Sequence, residues 1–315
     1  MPNLITAPRF WKNKVILVKP EVSYATDPTP TGAANWIEAR NVSLTPFDVE
    51  TADRNIEMPY MGSSGKVIVG QWGKLNFDVL AAGSGALGTA PKWAPLALAC
   101  GTAETVVAAT SVTYNLISTA FGSVAAWVNI DGVYHKFFGV RGELKGKMSA
   151  KGIPMLSYEL TGIFSAPVAV AMPAVTRTGW VYDEGVNSVN TTALTLNGVD
   201  LAFSALDFAF GNKVARINLP GPQLEVAITD RASSMSVTVL APDLAIFDPY
   251  ALATAGTNVA VSATHGSTAG KKLKLDGKVI VSAVDYDNID GMLAYKLTLE
   301  PTPVSGNDEL ALTCL

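Results

Sequence analysis

Leu75-Asn-Phe-Asp-Val-Leu80 is apolar at every second position, the pattern of a strand with one buried face. A glycine-rich loop follows, Ala81-Ala-Gly-Ser-Gly-Ala-Leu-Gly-Thr-Ala90, and then the Ala/Leu run Pro91-Lys-Trp-Ala-Pro-Leu-Ala-Leu-Ala-Cys100. Prolines near its start and Gly101 beyond its end predict a short helix. The same order returns downstream. Met235-Ser-Val-Thr-Val-Leu240 matches the strand, and Pro249-Tyr-Ala-Leu-Ala-Thr-Ala-Gly256 matches the helix and its stop. Leu156-Ser-Tyr-Glu-Leu-Thr161 recurs as Leu293-Ala-Tyr-Lys-Leu-Thr298. The offsets fall from about 160 to about 155 to 137 residues, so order is kept while the second copy loses loop length.

The remaining chain reads as strands and turns. Val15–Val18 is a strand before a Pro/Gly-rich loop, either an arm that settles on a neighbour or an ordinary first strand. Arg40–Thr45 and Phe47–Thr51 flank a turn at Pro46, and Lys66–Trp72 and Leu75–Leu80 flank a turn or bulge at Gly73-Lys74. Asp131-Gly132 between Val124–Ile130 and Val133–Phe138 is the strongest hairpin signal. Residues 165–195 hold Pro167, Pro173, Gly179 and a polar run, the composition of a linker. The expected architecture is mainly β: two tandem β-sandwich or barrel domains related by internal duplication, each closed by one short helix. The boundaries are an N-terminal arm and loop over 1–35, a first β-domain over 36–167, a linker over 168–195 and a second β-domain over 196–315.

Composition narrows the chemistry. The 315 residues are 49% hydrophobic and 16% charged, with a formal charge of −4. So little charge points to apolar faces buried between subunits, the alternative being a large core with a plain neutral surface. No Lys/Arg cluster makes a nucleic-acid footprint; Lys271-Lys272-Leu-Lys274 reads as a solvated strand end. Cys100 reads as a small core residue and Cys314 as a free tail thiol, and two cysteines make no disulfide framework. The N-terminus lacks the pattern of a secretion signal, and no apolar run approaches the roughly 20 residues of a membrane helix. His135 falls in a strand and His265 in a turn, neither at metal-ligand spacing, and both read as surface or interface residues. Ala82-Gly-Ser-Gly85 is not a nucleophile turn, and Asp285–Gly291 lacks the ligands of a calcium loop. No catalytic, cofactor-binding or metal-ligating residue is expected.

Phe77–Gly101, with its Gly-Thr-Ala-Pro-Lys-Trp block, resembles the hallmark of the tail tube (major tail) proteins of long-, non-contractile-tailed bacteriophages. Asp27–Asn35, Thr51–Asn55, Asp131–Lys136, Ile228–Ala232, Thr264–Gly270 and Gly306–Leu310 extend the resemblance over nearly the whole chain. The resemblance implies a structural virion protein, assembled in the host cytoplasm, whose rings stack into a hollow tube for DNA. Two domains per chain imply homotrimeric rings with pseudo-sixfold symmetry, with a hexamer as the fallback. The implied partners are further copies of the chain, the tape measure protein, and the tail terminator and distal tail proteins. On the same resemblance, DNA would pass through the lumen without specific binding. An acidic lumen would keep the polyanion off the wall, and Asp48, Glu50, Asp53, Asp207 and Glu225 are the candidate lumen carboxylates. Thr29 and Gly32 in the arm, and Gly83, Ser84 and Gly85 in the loop, are the candidate contacts between stacked rings. The alternative is a carbohydrate- or surface-binding adhesin module, which needs an aromatic platform. Trp93, Trp127 and Trp180 are too scattered to make one.

Overall fold

A computed structural model describes residues 4, 5 and 7–315. The expected arm over 1–35 includes residues 1–3 and 6, which lie outside the described residues.

The first half holds β1 (Lys14–Pro20), α1 (Gly32–Asn35), β2 (Trp36–Ile37), β3 (Arg40–Asp53), β4 (Lys66–Leu80), α2 (Ala94–Ala99), β5 (Thr102–Val107), β6 (Ser111–Leu116), β7 (Val124–Ile130), β8 (Val133–Ser149), β9 (Met155–Phe164) and β10 (Val168–Ala169). The second holds β11 (Leu194–Leu196), β12 (Val199–Leu201), β13 (Phe203–Ala209), β14 (Asn212–Leu219), β15 (Gln223–Arg231), β16 (Ser234–Leu240), α3 (Pro249–Ala255), β17 (Val259–His265), β18 (Leu273–Ile289), β19 (Met292–Pro301) and β20 (Leu310–Cys314). The chain is mainly β, as expected.

One antiparallel pairing scheme occurs twice. In the first half β2 pairs β1, β1 pairs β7, β7 pairs β8, β8 pairs β9 and β10, β9 pairs β4, and β4 pairs β3. In the second half β12 pairs β11, β11 pairs β17, β17 pairs β18, β18 pairs β19 and β20, β19 pairs β16, and β16 pairs β13. The sequence repeats fall on matching elements: Leu75–Leu80 on β4 and Met235–Leu240 on β16, Leu156–Thr161 on β9 and Leu293–Thr298 on β19. The additions are α1 and the β5–β6 hairpin in the first half, and the separate β14–β15 hairpin in the second.

Several local expectations change. β1 is no loose arm: Lys14–Pro20 pairs residue for residue with β7, and Val15–Val18 are buried. Pro46 makes no turn, because β3 runs through it with a bulge between Thr45 and Asp48. Gly73-Lys74 makes none either, since β4 pairs β9 without interruption. A Cβ on Gly73 would lie 1.9 Å from the Phe137 ring, so the glycine makes room for a core aromatic. The Asp131-Gly132 turn is as expected, both residues with φ positive, 43° and 91°. α3 is built by its ends: Asp248 accepts from the amides of Tyr250 and Ala251, and Gly256 closes it at φ 58°.

The halves are joined more closely than a linker implies. Ala205–Ala209 of β13 pairs with Ser149–Lys145 of β8, and Ala311–Cys314 of β20 pairs with Asn115–Val112 of β6. One buried cluster contains Phe77, Val79, Trp93 and Tyr158 from the first half and Val237, Leu297 and Leu312 from the second. Cys314 is therefore a core residue in a central strand, where burial pushes its thiol up to about 12. His265 is also buried, at the end of β17, its Nδ1 2.9 Å from the Thr191 hydroxyl, and burial lowers its pKa.

A shared core predicts cooperative unfolding. Phe77→Ala removes a fully buried ring and is expected to cost about 3–5 kcal/mol. Urea unfolding followed by circular dichroism should show one transition, displaced but still single; two separate transitions would contradict a common core.

Candidate functional site

The pairings place β3, β4, β9, β8, β13, β16, β19 and the far half of β18 side by side in one run. The run does not close into a barrel. β3 pairs only β4. β18 pairs β17 over Leu273–Val279 and β19 from Val279 onward, so beyond Val279 its other edge has no partner among the described residues. Each end of the run therefore presents unpaired backbone N–H and C=O groups. Asn41, Ser43 and Thr45 are exposed at one end, Asp285, Tyr286, Asp287 and Asn288 at the other. Unpaired strand edges invite pairing with another chain.

The internal seam shows what such pairing looks like here. β8 meets β13 with Met148 opposite Leu206 and Lys147 opposite Asp207. Phe208 lies flat over Gly146, where a Cβ would sit 2.0 Å from the ring. The register thus carries an apolar contact on one face and opposite charges on the other.

The candidate carboxylates divide into separate settings. Asp48 and Glu50 come together beside the β14–β15 hairpin. Asp48 accepts from Arg216 at 2.5 Å and from Lys74 at 2.9 Å, and Glu50 lies 3.8 Å from Arg216. Asp53 pairs with Lys66 at 3.2 Å near the tip of the β3–β4 hairpin. Glu225 accepts from the Gln223 side chain at 3.1 Å. Asp207 lines a cavity of about 590 Å³ on the sheet face with Asp78, Glu159, Lys145 and Lys147, so carboxylates outnumber lysines there by one. The five do not form one acidic stripe within the chain.

The candidate loop glycines are used inside the subunit. The Gly83 amide donates to Lys271 O at 3.0 Å and the Gly85 amide to Gly270 O at 2.9 Å, across the seam. Ser84 Oγ folds back on Ala86, and Gly32 is buried against Ala174. Thr29 alone of the arm pair is exposed, in a left-handed conformation at φ 50°. Of the tryptophans, Trp93 is buried, Trp127 lies under Lys136 and Trp180 packs edge-on against Trp36, so they form no common platform. Among the described residues no group of His, Cys, Asp and Glu could hold a metal ion.

Sequence reasoning missed the polar anchors of the β14–β15 hairpin. Buried Glu143 accepts from the Gly211 and Asn212 amides, both at 2.6 Å. Burial raises its pKa against the pull of those two donors. At the same open end, where Asn212 pairs Arg231, Arg231 grips buried Glu309 at 2.5 Å and donates to Ile117 O. The Tyr24 hydroxyl takes the Val226 amide while Arg141 donates to Val226 O. The only sequence signal was a lone charge within an apolar alternation, such as Glu143 beside Leu144.

Asp48 gives a pH prediction. Hydrogen bonding to Arg216, then to Lys74, holds its carboxyl below the ordinary 3.8. Its contribution is complete above that ordinary value and lost as pH falls through the lowered one. Asp48→Asn should cost about 1 kcal/mol at neutral pH and progressively less as pH falls below that ordinary value. Urea midpoints of both proteins at neutral pH and through that acid range check this; a difference that does not shrink in acid would contradict it.

A search of the curated proteins gave no match. The family model for phage tail tube proteins matches residues 11–313, from before β1 to the end of β20. A match over that span includes both copies of the pairing scheme and the seam between them, and the chain belongs to the phage tail tube protein family.

Proposed function

We propose that this structural tail tube protein polymerises edge to edge, the far half of β18 in one copy pairing with β3 of the next. The observation that carries the reading is the seam. β8 and β13 pair within the chain, and their counterparts in the repeated scheme, β18 and β3, are the two free edges. A contact between different surfaces of identical copies propagates head to tail and closes when the rotation allows. With two units per chain, three copies supply six units, so the ring is a homotrimer with pseudo-sixfold symmetry. In this reading the units span 36–167 and 196–315, joined through 168–195, and β1 and β2 belong with the first of them. Stacked rings form the tail tube of a siphophage, built in the host cytoplasm around the tape measure protein and bounded by terminator and distal tail proteins. DNA crosses the lumen without specific contacts. A sparsely charged wall would suit sliding better than a basic one.

The repeated ladders fix a register to test. Lys145 faces Ala209 at the seam. Lys145 pairs Ser157 as Asp287 pairs Ala294, and Ala209 pairs Ser234 as Thr45 pairs Lys74. Asp287 of one copy therefore faces Thr45 of the next. Thr45→Glu sets like charges opposite each other, while Lys74 accommodates the new carboxylate in the folded monomer. Electron microscopy should show rings or tubes for the native protein, none for T45E, and their return in T45E/D287K. Assembly by T45E equal to the native protein would contradict the register.

A further inference from the structure

The seam holds a second contact besides strand pairing: the loop after β4 rests on the turn between β17 and β18. Gly83 and Gly85 donate to Lys271 and Gly270 there, and a Cβ on Gly85 would lie 3.2 Å from Val181, in the segment that precedes β11. Each part has a counterpart that, among the described residues, makes no such backbone hydrogen bond across a seam. The loop after β16, residues 241–248, corresponds to the loop after β4. The β7–β8 turn at Asp131-Gly132 corresponds to the β17–β18 turn. The segment before β1, with Phe10 and Trp11, corresponds to the segment before β11.

These counterparts are built rather than slack. In the 241–248 loop Asp243 accepts from the Ala245 amide through its side chain and from the Ile246 and Phe247 amides through its carbonyl. Phe247 is anchored in the core and Asp248 caps α3. That frame holds Leu244 and Ile246 out in solvent, 51% and 64% exposed. On the other side Asp131 fixes the N-terminal segment: its carboxylate accepts from the Phe10 amide at 2.6 Å and from Asn13 at 3.2 Å, and its amide donates to Asn13 O at 3.0 Å. Phe10 and Trp11 are 65% and 71% exposed, Trp11 with Lys14 over one ring face. Apolar side chains held out by ordered backbone mark a contact surface.

We infer that Leu244 and Ile246 of one copy dock against Phe10, Trp11 and the Asp131-Gly132 turn of a second copy. The occupant is another copy because the scheme that puts β18 against β3 brings this loop and this turn to the same junction. The inference rests on the edge-to-edge ring. It adds an apolar clamp outside the strand ladder, as the Gly83–Gly85 loop does within the chain.

The test is disulfide trapping in the full chain with Ile246→Cys and Trp11→Cys combined, both exposed positions, alongside each single variant. Mild oxidation should give covalent dimers and trimers on a non-reducing gel for the double variant only. Leu244→Asp combined with Ile246→Asp should raise the concentration needed for assembly about tenfold, equivalent to about 1.4 kcal/mol at the contact. If native rings are visible in micrographs but the pair does not cross-link and the aspartates leave assembly unchanged, the docking is wrong and the ring reading stands. If the native protein forms neither rings nor tubes, both fall together.

Discussion

An unpaired strand edge governs this molecule. Each backbone N–H and C=O along it must find water or a partner, and a long exposed edge readily finds another strand. Inside the chain that need is met at the seam, where β8 takes β13 and β6 takes β20. At the two ends of the run it is not met. The same pairing scheme, used twice in one chain, leaves one β3-type edge and one β18-type edge over. The proposed polymer follows from that remainder, and it would cover faces of a chain that carries little charge.

The two halves differ where the seam requires it. The first carries β5–β6, which reaches across to β20. The second carries β14–β15, which returns over the first and is held by Glu143, Arg231 with Glu309, and the Tyr24–Arg141 pair at Val226. Polar anchors of this kind are costly to bury without partners, so they favour the geometry that supplies most of their bonds, although Asn212 Oδ1 and Glu309 Oε2 stay unpartnered. The hairpin they fix meets β3 through Arg216 with Asp48 and Glu50. Of the five carboxylates expected to line a lumen, Asp48 and Glu50 thus join two hairpins within the chain.

Much of this was legible in the residues, for definite reasons. Alternation at Leu75–Leu80 and Met235–Leu240 reports one buried face, and both segments are central strands. Asp131-Gly132 and Asn197-Gly198 report a backbone with φ positive, and both are hairpin turns. What failed was information that local sequence does not hold. Pro46 sits in a bulge because a long strand absorbs it there, and Gly73 is a packing glycine because Phe137, far along the chain, fills its space. Cys314 and His265 looked terminal or turn-like, yet Cys314 is buried where β20 pairs β6 across the seam, and His265 is buried at the end of β17 beside Thr191. Gly83 and Gly85 looked free for an outside partner until the Gly270–Lys271 turn met them. The candidate site was legible as an apolar, weakly charged β-module; which edges stay open depends on pairings between distant strands.

Amide hydrogen exchange before and after assembly tests the edge pairing most directly. In the isolated chain, amides at 40–45 and 282–289 that point away from β4 and β19 should exchange quickly, while those of the β8–β13 seam are slow. On assembly the edge amides should slow to the level of the seam. Tubes in which 40–45 and 282–289 keep exchanging as fast as in the free chain would contradict the account.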